Sequence, residues 1–243
     1  MTSGPDQADR VARLLQFGDS MFPIGGFSFS CGLESAVQTG VVHDRATLHE
    51  FARTALDQAA RGDGIALVAA HRAATAGDVE ALVAIDAQVF ARKPSDETRL
   101  MSTRMGRKFT EIGVEVIGAA LLTTCLLKTC LLKTWLDRIA AGATPGTYPI
   151  ALAINFAAQG LSARDAFVVH QYGVATTILG AALRLMRVSH VDTQAILYDL
   201  NARSEAAYET AAAARLSDMA GFAPLADVLA AVHTKAHVRL FMN

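Results

Sequence analysis

The sequence predicts an all-α protein: a single compact helical domain of about eight to ten helices. Three observations predict it. Apolar residues recur at helical spacing along most of the chain, period-2 alternation of β-branched residues is scarce, and Ala-rich segments are separated by short breaks containing Gly, Pro or Ser. The clearest periods are Leu48, Phe51, Ala52, Ala55, Leu56, Ala59 and then Ala175, Ile178, Leu179, Ala182, Leu185, Met186, each marking one helix face. Thr47 with Glu50 reads as a capping box for the first, with Asp44 as the alternative N-cap. Gly160 followed by Ser162 and Asp165 reads as a stop and a new start before the second.

Further breaks fall near Gly18–Gly26, Gly40–Asp44, Gly62, Gly77, Lys93–Ser95, Gly142–Pro149, Ser189 and Gly221–Pro224. None is long or polar enough for an interdomain linker, so residues 1–243 are read as one domain with flexible tails at 1–8 and 238–243. Gly173 and Gly180 share a helix face, where small residues let another helix approach closely. Cys125-Leu-Leu-Lys-Thr129 is repeated at once as Cys130-Leu-Leu-Lys-Thr134. A five-residue step turns a helix by about 500°, so the copies face roughly 140° apart and cannot form one stripe. The repeat reads as an insertion accommodated in a long helix.

Apolar residues make up 52% of the chain and charged residues 19%, with a mean hydropathy of +0.29. That is oily for a soluble protein, and it implies an extensive core, surface covered by another subunit, or both. A net charge of −1 argues against a dedicated nucleic-acid binder. One run is basic: Arg92, Lys93, Arg99, Arg104, Arg107 and Lys108 against Asp96 and Glu97. It reads as a solvated helix face, with a docking face for an acidic partner as the sharper alternative. No stretch reaches the ~18 uninterrupted apolar residues of a membrane span, residues 1–10 lack the apolar region of a secretory signal, and three cysteines give no disulfide framework. A soluble cytoplasmic protein is expected.

The most informative segment is Phe22-Pro-Ile-Gly-Gly-Phe-Ser-Phe-Ser-Cys-Gly-Leu-Glu34. Pro23 and the glycines fix a turn, the Phe residues can anchor it on the core, and Ser28 or Ser30 can cap a helix starting near Cys31. Glu34 then lies at a helix start, where a carboxylate favours the dipole. The chain lacks the Gly-x-x-x-x-Gly-Lys-Ser/Thr run of a phosphate-binding loop and any Gly-x-Ser-x-Gly elbow, so neither a catalytic constellation nor a cofactor is expected. His233 and His237 share a helix face but make at most half a metal site, and Cys125 and Cys130 are poorly spaced for chelation. No resident metal site is expected.

Residues 22–34 closely resemble the signature of the UreF family of urease accessory proteins, a Pro-Val/Ile-Gly-small-Phe/Tyr-Ser stretch leading into Ser-x-Gly-Leu-Glu. Arg99–Arg107, ending in Gly106-Arg107, resembles the family's helix with a terminal Gly-Arg pair. Thr147-Tyr-Pro149 with its Ala-rich sequel, and Ala223-Pro224 through His233 to Arg239-Leu240-Phe241, match its spacing. The resemblance implies a non-catalytic, homodimeric scaffold that assembles with UreD (UreH) and the GTPase UreG to deliver nickel into apo-urease. It also implies Pro23, Gly25, Phe27, Ser28, Glu34, Arg107, Arg239, Leu240 and Phe241 as partner-interface residues. Arg239-Leu240-Phe241 reads as a short anchor folding against another protein; the alternative is that Leu240 and Phe241 fold back on this chain's own core. A helical enzyme or small-ligand binder with a pocket at the Gly25–Ser30 loop is the competing reading of the whole chain.

Overall fold

The structure is a computed structural model that describes residues 6–121, 126–221 and 240–241, with side chains described at 6–117, 131–221 and 240–241. Its helices are α1 (Gln7–Gly18), α2 (Leu33–Gln38), α3 (Arg45–Ala59), α4 (Ile65–Ala76), α5 (Val79–Ala91), α6 (Asp96–Leu121), α7 (Leu126–Ala140), α8 (Tyr148–Ala158), α9 (Ala163–Leu185), α10 (His190–Asn201) and α11 (Ser204–Ala213). No strand occurs among the described residues. A π turn at Ala60–Gly64 joins α3 to α4 in one rod, so the helical units number ten and form a compact single domain.

Helix α8 is the axis of the larger core. Pro149 through Phe156 and then Ala158 are all buried, so the helix presents no polar face and must be enclosed on every side. Helices α4, α5, α6, α7 and α9 enclose it. Its start is fixed by Asp86 of α5, a fully buried carboxylate that accepts from Thr144 Oγ1 (2.6 Å), Gly146 N (2.6 Å), Thr147 N (2.9 Å) and Thr147 Oγ1 (2.5 Å). Thr147 is the N-cap of α8, yet its hydroxyl serves Asp86 rather than the helix. Helix α6 crosses this junction at Gly106, where an added Cβ would overlap the Gly146 carbonyl oxygen, and passes the Asn155 side chain at Gly113. A smaller cluster packs α2, α3, α10 and the second half of α9 around Leu33, Leu48, Ile178 and Leu200. Helix α9 belongs to both clusters.

Several boundaries differ from expectation. Asp44, not Thr47, caps α3: its carboxylate accepts from Thr47 N at 2.8 Å, and the Thr47 hydroxyl completes the box. Gly62 does not break the chain. The π turn absorbs the irregularity, and with its amide oriented to match, Gln171 donates to the Leu56 carbonyl and accepts from Ala60 N, each at 3.2 Å. Gly64 is needed there because the Phe167 ring lies against it. Helices α10 and α11 part at Ala202–Arg203 without a Gly or Pro, a break the sequence did not announce. Residues 126–134 of the repeat open α7, and Cys125 lies outside the described residues. Among the described residues no helix closes on Gly173 or Gly180; close helix approach occurs at Gly106 and Gly113 instead.

The inner ends of the expected tails have defined placements. Residues 7 and 8 are in α1, capped by Asp6, and Phe241 is buried at 5% exposure.

The two kinds of glycine make opposite predictions. Gly106→Ala should cost about 2–4 kcal/mol, since helix α6 and the 146–148 backbone cannot both stay in place. Gly180→Ala, in an open stretch of α9 with nothing within 4 Å, should gain up to about 1 kcal/mol from helix propensity. Urea unfolding of both variants checks the pair.

Candidate functional site

The motif at residues 22–34 forms two tight turns followed by a short helix. Phe22 packs its ring 5.3 Å from both Phe17 and Phe109, which seats the segment on the larger core. Pro23 is exposed at the turn. Gly25 takes a left-handed conformation (φ +81°), and Gly26–Ser28 make one 3₁₀ turn closed by Phe29 N donating to Gly26 O at 3.2 Å. Phe29 is buried, whereas Phe27 stands out at 70% exposure. The helix begins at Leu33, two residues later than expected, because Cys31 (φ +53°) and Gly32 (φ +81°) are both left-handed. Ser30 rather than Ser28 serves its start, accepting from Glu34 N at 3.4 Å.

Glu34 occupies the first turn of α2 but is 1% exposed, and its carboxylate is spent on the C-terminus. Oε1 accepts from Leu240 N at 2.8 Å and Oε2 from Phe241 N at 3.1 Å. Two consecutive backbone donors on one carboxylate fix both position and direction of that segment. The Phe241 ring sinks into the smaller core, with the Arg184 guanidinium 4.1 Å from its centroid. Arg184 Nη2 also donates to Phe27 O at 2.9 Å, so one side chain from the end of α9 ties the motif loop to the tail. Gly25, Phe27, Ser28, Glu34, Leu240 and Phe241 are thus brought into one neighbourhood. The own-core alternative describes Phe241: its ring is buried within this chain, and Leu240, at 69% exposure, is the described part of the tail that faces outward.

Arg107 stands apart from this neighbourhood on α6, where it pairs with Glu111 at 3.1 Å beside Lys108. Arg239, His233 and His237 lie outside the described residues. Among the described residues no three His, Cys, Asp or Glu side chains cluster as a metal ion requires. Arg184 escaped the sequence reading; a basic residue in the last turn of a long apolar helix looks like a dipole partner and nothing more.

A second feature was also not anticipated. A cavity of about 260 Å³ opens behind the motif loop, between it and α6, α8 and α9. Asp63 of the π turn and Lys93 line it as an ion pair at 2.6 Å, and His170 Nε2 of α9 approaches Asp63 at 3.7 Å. Lys93 is therefore turned inward, unlike the rest of the basic run, where Arg99 pairs with Asp96 and Arg107 with Glu111 on the helix surface. Burial pushes the Asp63 carboxyl up, but Lys93 and then His170 outweigh it and hold the group well below the usual carboxylate range. Burial raises the Cys31 thiol to about 11, against the pull of Lys93, so it stays protonated at neutral pH. Residues 63, 93 and 170 come from three elements, and no local pattern joins them.

The fold and this surface define an all-helical protein whose motif residues are spent on building a loop-and-tail surface around Arg184. A UreF family profile, described as UreF, matches residues 42–201. The chain is 56% identical over 233 residues to urease accessory protein UreF 2 of Brucella canis, covering 96% of this chain and 92% of that protein. Identity is the same, over the same shares, to UreF 2 of Brucella abortus. It is 50% identical over 236 residues to urease accessory protein UreF of Yersinia pseudotuberculosis, covering 97% and 99%. The chain belongs to the UreF family of urease accessory proteins.

Two predictions follow from the geometry. Glu34→Ala leaves two backbone donors unmatched and loosens Phe241, so it should cost about 2–4 kcal/mol; removal of residues 240–243 should cost about 2–3 kcal/mol from the lost ring burial alone. An unfolding curve unchanged by the truncation would mean that the tail contributes nothing to this chain's own stability. The second concerns pH. A carboxyl lowered in the folded state adds stability above its unfolded value near pH ~4, and that contribution fades as pH falls through the lower folded value. Wild type should therefore exceed Asp63→Asn at pH 7, with the margin shrinking below about pH 4, as read from thermal melts across pH.

Proposed function

We propose that the chain is a non-catalytic scaffold that assembles with UreD (UreH) and the GTPase UreG to deliver nickel into apo-urease. The observation that carries this reading is the surface around Arg184, where Phe27 and Leu240 stand exposed on a frame fixed by Glu34, Phe241 and the Gly25 turn. Large apolar side chains held outward by buried polar ties are poorly explained by folding alone and suit a protein partner. Membership of the family supports urease as the client. The nucleotide and its hydrolysis belong to the GTPase partner, and nickel is cargo rather than a resident cofactor.

The same reading places the protein in the cytoplasm as a homodimer. Helix Ala163–Leu185 is, among the described residues, the one long and apolar enough to cross a membrane. Its buried side chains, including Phe167, Ile178 and Leu179, pack inside the fold. Exposed Val191 and Tyr198 on α10 supply further apolar surface of the kind a second subunit covers.

The test is a strain carrying the double substitution Phe27→Asp, Leu240→Asp in place of the native gene. Both side chains are exposed, so stability should change by no more than about 0.5 kcal/mol at each position. Urease should accumulate to normal levels but inactive, and the UreD-type protein should no longer co-purify. Normal urease activity with the complex intact overturns the reading.

A further inference from the structure

We propose that the cavity behind the motif loop is a binding site for a small uncharged molecule with an apolar body and one head group that both donates and accepts hydrogen bonds, such as a primary amide. The inference is separate from the assembly role and rests on four features of the cavity.

The walls are apolar, with Phe17, Ile24, Met101, Met105 and Val169 among them, which selects an apolar body. Its charged lining is balanced, Asp19 and Asp63 against Lys93 and Arg184: Lys93 Nζ lies 2.8 and 2.6 Å from the two Asp63 oxygens, Arg184 donates to Phe27 O and Asp19 accepts from Met21 N, so no net charge calls for a counter-ion. An anion entering here meets Asp63 and a cation meets Lys93, and each must shed its water to do so.

Polar capacity nevertheless remains. His170 is 3% exposed and turns Nε2 toward Asp63, while its Nδ1 has no hydrogen-bond partner. Nδ1 is thus left to make one further hydrogen bond, accepting when the ring is neutral and donating when it is an imidazolium. The Tyr148 ring stacks on His170 at 6.1 Å, and burial alone pushes its phenol above the ordinary value, so it keeps its proton and offers a donor. An unpaired imidazole nitrogen and a protonated phenol lining one cavity match an amide or hydroxyl head, which can both donate and accept.

The site also has a structural cost. Asp63 is carried by a π turn, a geometry that is rare and found often at functional sites. Gln171 is committed to satisfying the Leu56 and Ala60 backbone groups at that turn.

The experiment uses the full chain and three probes of one shape: benzamide, benzoate and benzylamine, followed by ligand-observed NMR. Benzamide should bind, and the two charged probes should bind at least tenfold more weakly. Tyr148→Phe should weaken benzamide about tenfold and leave the melting temperature close to wild type. Gly173→Leu fills the cavity from α9, where an added Cβ meets nothing within 4 Å. It should abolish benzamide binding while the melting temperature holds or rises, since Leu is the better helix former. Equal binding of all three probes, benzamide binding that survives Gly173→Leu, or no benzamide binding at millimolar concentration would each overturn the proposal. Urease activation by the same variants is scored separately, so failure of the cavity and failure of the scaffold reading are distinguishable.

Discussion

The Asp86 carboxylate is the constraint on which most of this molecule rests. Four donors from residues 144–147 converge on it in a fully buried setting, and they set where α8 begins and which way it points. A carboxyl group in that position is tolerable only because its oxygens are saturated with hydrogen bonds. Once α8 is placed, the helices that enclose it have little freedom, since an axis apolar on every side demands contact on every side. Gly106 shows how tight the result is, because α6 can pass the junction only where it carries no side chain. Tyr148 and Pro149, the first residues of α8, then become a wall of the cavity. A hydrogen-bond cluster remote from the exposed surface thus fixes the geometry behind it.

The parts of the fold that were legible in the sequence are those decided within a few residues. Ser162 with Asp165 forms a capping box at the start of α9 as its spacing says, and Gly77 and Gly160 end helices in left-handed conformations. The apolar period of α3 is equally local, and Leu48, Ala52 and Leu56 are buried on it. Reading failed where a residue's role depends on distant chain. Gly62 looked like a break because a π turn and an interruption share the same local composition; the difference lies in Gln171 and Phe167, a hundred residues away. Lys93 looked like part of a solvated basic run, and only the position of Asp63 explains its inward turn. Within the site, the sequence picked out the motif and the tail but not that Glu34 joins them, since nothing local says which donors a buried carboxylate will find.

The cavity and the loop-and-tail surface share one structural member. Helix α9 gives His170 and Gly173 to the cavity and Arg184 to the loop-and-tail surface, and it spans both cores. Its polar residues therefore serve three different jobs along one rod. Asp165, near its first turn, receives Arg10 of α1; His170 faces the Asp63–Lys93 pair; Arg184 closes the loop against Phe241. This explains a helix of high hydropathy that nonetheless carries an Asp, a His, a Gln and Arg residues. The apolar majority makes the core, and each polar exception meets a particular group brought in by another element.

The composition can now be apportioned. An oily chain either buries its excess or leaves it at the surface, and here both occur in separate places. Helix α8 and much of α9 absorb a large share, being buried through most of their length. The most exposed large apolar side chains among the described residues are Leu15 on α1, Met21 and Phe27 at the motif loop, Leu240 beside the buried Phe241, and Val191 with Tyr198 on α10. Scattered exposed hydrophobes are ordinary on any protein, but the segments that carry residues 27 and 240 are distant in sequence and are tied together by Arg184, which donates to Phe27 O and lies over the Phe241 ring, while Glu34 holds Leu240 N. Glu34 fixes that arrangement. Its two bonds to consecutive backbone amides would be wasted on a tail that merely needed to be out of the way. They hold Phe241 in and leave Leu240 out, so the position of this exposed side chain is fixed by the chain's own core.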